Sequence, residues 1–106
     1  MVTMTPPQRA IYERLLAAAR AIGPFREDPK KTSIHLARKT AFAGVATRKG
    51  ALLVTIKLPA DVPSARIVKR QRVSANRWHL DVRLETPTDV DRELRSWLRH
   101  AMDISA

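Results

Sequence analysis

The chain has 106 residues, twenty Lys or Arg against ten Asp or Glu, and no cysteine. That length suits one domain with a single core burying roughly 60–70% of its unfolded surface. The lack of cysteine excludes a disulfide framework, a thiolate metal site and a thiol nucleophile.

The formal charge of +10 is concentrated in the middle: between Asp28 and Asp81 stand twelve Lys or Arg and one carboxylate, Asp61. Such a field attracts phosphates, acidic proteins or small anions, and does not choose among them. Fourteen of the basics are Arg, a side chain suited to bidentate contact with phosphate or carboxylate. No apolar stretch approaches the roughly 20 residues that span a bilayer. The opening Met-Val-Thr-Met-Thr-Pro-Pro lacks the basic and apolar regions of a signal peptide. A cytoplasmic protein with no membrane partner is therefore expected.

Thr5-Pro-Pro-Gln8 predicts a helix start, with a hydroxyl at the N-cap, proline in the first turn and Gln8 placed to close a capping box. Ile11, Leu15, Ala18, Ala19 and Ile22 then recur at three- and four-residue spacing. Gly23-Pro24 ends the helix, with Gly23 expected in the left-handed conformation.

The period then changes to two. Ser33–Arg38 and Ala41–Ala46 read as short strands. Ala51–Leu58 places Leu52, Val54, Ile56 and Leu58 on one face. Arg66–Val73 is a strand with a basic exposed face, and Trp78–Glu85 puts Trp78, Leu80, Val82 and Leu84 inward. Arg48-Lys49-Gly50 and Ser74-Ala75-Asn76-Arg77 supply turns, and Asp61–Ser64, with Pro59 and Pro63, breaks the sheet and makes a longer connection.

Thr86-Pro87 predicts the start of a second helix, with Asp89, Asp91 and Glu93 near its positive end. Val90, Leu94, Trp97, Leu98, Ala101 and Met102 form its apolar face, and Arg95, Arg99 and His100 lie toward its other end. The expected fold is a single α+β domain over residues 1–106. It is a two-layer sandwich with both helices packed on one face of a twisted, mostly antiparallel sheet of about five strands.

The candidate polyanion contacts are Lys30, Lys31, Arg38, Lys39, Arg48 and Lys49 at strand ends and turns, Lys69, Arg70 and Arg72 along a strand, and Arg77 beside the last turn. Paired basics on adjacent hairpin tips can grip successive phosphates without reading sequence. The competing explanation is that edge strands carry Lys and Arg to block aggregation, which needs a few charges and not twelve. With aromatics scarce, backbone contact on a duplex is favoured over base stacking.

His35, His79 and His100 fall in different elements. His79 and Asp81 share one strand face, half of a metal site, but the alternation into Arg83 and Glu85 reads as a solvated face with cross-strand pairs. Asp61 and Asp81-Val82-Arg83 loosely mimic a metal-dependent nuclease. Arg cannot surrender its proton as Lys can, and further carboxylates for Mg²⁺ are missing. Ser33, Ser74 and Ser96 lack any nucleophile motif. The expectation is a protein that is not an enzyme, with no cofactor and no metal.

Four segments carry a resemblance: Lys31-Thr-Ser-Ile-His-Leu36, Ala41-Phe-Ala-Gly-Val45 with Arg48-Lys49, Val73-Ser-Ala-Asn-Arg-Trp-His79, and Asp89-Val-Asp-Arg-Glu-Leu94 with Trp97-Leu98. Over almost the whole chain the sequence resembles a bacterial family described as domain of unknown function 5655, although Ala46-Thr47 stands where that pattern has His-Pro. The resemblance brings no catalytic residues. The helix–sheet–helix order is also similar to frataxin-like and YjbR-like domains, an analogy of fold alone. Frataxin-type iron binding needs an acidic first helix, and only Glu13 is acidic here. The YjbR-like likeness implies a DNA-binding surface.

Together these readings point to a non-catalytic binding module for a polyanion, nucleic-acid backbone first. The alternative is a protein-interaction or small-anion module rimmed by Lys31, Ser33, His35, Asn76 and His79. A sheet edge is the candidate contact for a homodimer.

Overall fold

The structure is a computed structural model that describes residues 2–105. Its first helix, α1, runs Pro6–Ile22. The capping box forms as its chemistry dictates: Gln8 N–H donates to Thr5 Oγ1 at 3.3 Å, and Thr5 N–H to Gln8 Oε1 at 2.9 Å. The helix stops at Gly23, as expected, but Gly23 is extended (φ 175°) and not left-handed. Its N–H still closes the last turn on Ala19 O at 3.2 Å.

Six strands follow: β1 Arg26–Pro29, β2 Ile34–Ala37, β3 Ala41–Arg48, β4 Ala51–Leu58, β5 Ile67–Ser74 and β6 Arg77–Leu84. They form one antiparallel sheet in the order β1-β2-β3-β4-β6-β5. The count is six and not five, because β1 (Arg-Glu-Asp-Pro) has no apolar alternation and exists only through its pairing with β2. Gly50 turns β3 into β4 with φ +69°, the left-handed value that favours glycine.

The second helix also differs from its sequence reading. Thr86-Pro87 opens only a 3-10 turn, Pro87–Asp89, and α2 starts at Arg92 with Asp91 as its N-cap and runs to Ile104. Asp91 Oδ1 accepts from Leu94 N–H at 3.0 Å. Two N-cap signals stand in tandem, and the second begins the helix because Val90 is drawn into the core between them.

Ile11, Leu15 and Ala19 of α1 and Leu94, Leu98, Ala101 and Met102 of α2 are buried together with Leu52, Val54, Ile56, Leu80, Val82 and Leu84. Both helices therefore cover one sheet face. Trp97, expected to be buried, is only half-buried, with the Arg66 guanidinium 6.0 Å from its ring centre. A bulge between Leu36 and Ala37 gives β3 one extra residue, Phe42, which packs in the core edge-on to Phe25 at 5.9 Å.

Candidate polyanion interface

The other sheet face carries the alternate residues. The registers place Asp28, His35, Gly44, Thr55, Asp81 and Lys69 in one row across all six strands, with Lys57 opposite His79 and His79 opposite Gln71 in the next. Two hollows open along these rows. The larger, about 250 Å³, is lined by Ser33, His35, Ala43, Gly44, Val45, Ala46, Thr55, Lys57 and His79. The smaller, about 190 Å³, is lined by Thr55, Lys69, Gln71, His79 and Asp81, so Thr55 and His79 join the two. None of the five aromatic side chains lines either hollow.

The electrostatics of this face are unbalanced. Burial first, and the neighbouring Arg77 second, hold Lys57 below its ordinary value. His79 is lowered by burial, then by Lys57 and Arg77, while Asp81 pulls the other way. Asp81 is engaged: the Thr55 hydroxyl donates to its Oδ1 at 2.6 Å. Arg83 turns along the surface to Glu85 Oε2 at 3.1 Å and to Lys49 O at 2.9 Å. The expected pairing of charges across this face is thus replaced by a hydroxyl contact and a pair between Arg83 and Glu85, just past the end of β6. Among the described residues no three His, Cys, Asp or Glu side chains converge where a metal ion would sit.

The basic residues singled out in the sequence are not brought into one patch. Pairing of Ile34 with Val45 puts Lys30 and Lys31 at the same end of the sheet as Arg48 and Lys49, although Lys30 is bound to Asp28 at 2.9 Å. Arg38, Lys39 and Arg77 lie at the opposite end, because Ala37 pairs with Ala41 and Leu58 with Trp78. Arg38 is half-buried there and donates to Met102 O in the last turn of α2 at 3.5 Å. Lys69 lies on the open face, opposite Asp81.

The expectation that Arg70 and Arg72 lie on the solvated open face is not met. They pair opposite Leu80 and Trp78, on the helix side. A bulge at Val68 re-aims the strand. Arg70 then ties down the β4–β5 connection, with Asp61 Oδ1 at 2.9 Å and Ser64 O at 3.0 Å. Of the expected ligand rim, Ser33, His35 and His79 meet in the larger hollow, while Lys31 and Asn76 do not line it.

Six of the twenty cationic side chains, Arg9, Arg20, Lys30, Arg66, Arg70 and Arg83, form ion pairs among the described residues. Three of the four acids after Thr86 are engaged away from the α2 arginines, Asp91 and Glu93 by Arg66 and Asp89 by the N–H groups of Glu85 and Thr86, and the fourth, Asp103, lies in the last turn of α2. Arg92, Arg95 and Arg99 line a groove against Ala18, Ala21 and Ile22 of α1 with no carboxylate in its walls.

Lys57, Thr55, Gly44 and Ala46 were not singled out as site residues. The alternation of β4 placed Lys57 on the solvated face, but its position beside His79 needs the β4–β6 register.

Such a molecule is a small two-layer α+β domain with a polar, cation-rich open sheet face. The chain belongs to the family described as a domain of unknown function (DUF5655), whose model matches residues 4–105. No curated protein and no solved structure matches it. Ser33, His35, Gly44 and His79 come from three of the four segments that carry the family likeness, and they meet at the larger hollow. No helix among the described residues is long and apolar enough to cross a membrane.

Proposed function

We propose that this domain is a non-catalytic module that receives a polyanion along the open face of its sheet, and that the polyanion is nucleic-acid backbone. The observation that carries the reading is the run of cations along the strands. Lys31, Arg48 and Lys49 stand at one end, Lys69 in the middle, and Lys57 and Arg77 toward the other end, none of them in an ion pair among the described residues. Eight residues of β4 span about 26 Å, a length that meets several successive phosphates.

The absence of an aromatic platform on this face favours contact with sugar and phosphate over base stacking, and therefore a duplex bound with little regard to sequence. Anisotropy of a labelled duplex at low salt tests it. Binding that weakens with charge reversal at Lys57 and Lys69, while the fold is retained, supports the proposal. No binding by any nucleic acid overturns it.

A further inference from the structure

We infer that the larger hollow on the open face is a seat for a single phosphate group, held by the Lys57 ammonium and the His35 and His79 imidazoles, with the Ser33 hydroxyl at its rim. The inference rests on the open face being the polyanion-binding side, and it names the point at which the polyanion is anchored.

The donor set has the right sign: three nitrogen side chains line the hollow and no carboxylate does. The acids beside it are engaged, Asp28, opposite His35, by Lys30 at 2.9 Å, and Asp81, in the adjoining hollow, by the Thr55 hydroxyl. Lys57 is half-buried without an ion pair, and the charged or titratable groups facing it and His79 are Arg77, Asp81 and each other. Burial lowers both groups first, Arg77 adds to it at Lys57, and Lys57 and Arg77 add to it at His79; an anion set among these cations offsets that repulsion.

The floor is made to stay open. Gly44 and Ala46 are small, and a Cβ on Gly44 would come 3.8 Å from His35 Cδ2, at the wall of the hollow. A space of about 250 Å³ is smaller than the usual 300–1,000 Å³ of a drug-sized ligand site, but it takes a phosphate with part of its sugar. Because the hollow is open along the sheet, a strand can enter and leave it.

The phosphate can come from a nucleic-acid strand or from a free phosphate compound, and one experiment separates them. Inorganic phosphate is titrated against chloride at matched ionic strength, following the His35 and His79 ring protons by NMR. The expected result is a saturable phosphate shift at both rings that chloride does not produce. Lys57→Gln should weaken it about tenfold. Gly44→Val, which fills the floor at a half-buried strand position, should abolish it with the spectrum otherwise native.

Displacement of phosphate by duplex DNA assigns the seat to a strand. Phosphate binding that the duplex leaves untouched assigns it to a free phosphate compound, so the seat stands while the polyanion reading of this face falls. If phosphate moves the two rings no more than chloride does, or binds both variants as it binds the native protein, the seat is overturned. The polyanion reading can then still hold, through salt-dependent duplex binding.

Discussion

Gln8 and Arg48 stand forty positions apart, and the side-chain amide of the first donates to the backbone carbonyl of the second at 2.8 Å. The same amide donates to Ala51 O at 3.1 Å while its oxygen accepts from Thr5 N–H, so one buried side chain closes α1 and fixes both strands at the β3–β4 tip. That tip carries Arg48 and Lys49. The helix cap thereby sets the position of two cations of the proposed interface.

Replacing Gln8 with Ala should cost about 1–3 kcal/mol, because two carbonyls and one N–H lose their partner in a buried place. Gln8→Glu keeps the acceptor for Thr5 but loses both donors, and should destabilise comparably. Urea unfolding of the three proteins checks this. A Gln8→Glu variant as stable as the native protein would show that the helix cap alone matters and the tip does not depend on it.

What the sequence made legible follows from where the physics is local. Thr5 and Gln8 interact within one helical turn, and the alternation of Leu52, Val54 and Ile56 against Leu80, Val82 and Leu84 is imposed by a two-residue period. Both readings hold in the structure. The strand Arg26–Pro29 was not legible, since its only reason to be extended is pairing with Ile34–Ala37. Nor could the sequence rank Thr86 against Asp91 as the start of the last helix, because each presents a good cap and only the burial of Val90 decides.

At the candidate site, His35 and His79 were visible as polar residues on strands. That Lys57 joins them depends on a register, and that Arg70 and Arg72 leave them depends on a bulge at Val68. Neither has a local signature.

Packing predicts a sharp contrast between Leu94 and Arg83. Leu94 is fully buried against the sheet, so Leu94→Ala should cost about 2–5 kcal/mol through the cavity left behind. Arg83 is exposed and its bonds to Glu85 and Lys49 O lie in solvent, so Arg83→Ala should stay within about half a kcal/mol. Chemical denaturation measures both. Equal, small losses would mean that α2 does not bury the face assigned to it.

Acid titration should report on Asp91. Burial raises its carboxyl, but the Leu94 N–H and the Arg66 guanidinium outweigh that and hold it below the ordinary 3.8. A depressed carboxyl contributes stability that is fully present above the unfolded value and is lost as pH falls through the folded one. Asp91→Asn keeps an N-cap acceptor and removes the charge. At neutral pH the native protein should therefore be more stable than the variant by about 0.3–1 kcal/mol, the worth of an anion at a helix N-terminus. The gap should close below the folded value. Stability curves against pH that stay parallel down to strongly acidic pH would contradict this.

The polyanion reading makes its most demanding prediction about salt. Lys and Arg that neutralise phosphates release condensed counterions, so about five contacts give log K a slope against log[salt] near −4 to −5 on a duplex. Reversing charge at Arg48 and Lys49, or at Lys57 and Lys69, should weaken binding to all sequences alike and flatten that slope. Reversal at Arg70 should act on stability instead, since its guanidinium holds Asp61 and the β4–β5 connection. Reversal at Arg95 and Arg99 should leave affinity largely intact, although these side chains line a groove without carboxylates, because they sit on α2 and not on the open sheet face. If the α2 variants lose as much affinity as the sheet variants, the interface is the helix groove or the net charge alone, and the sheet face is not where the polyanion binds.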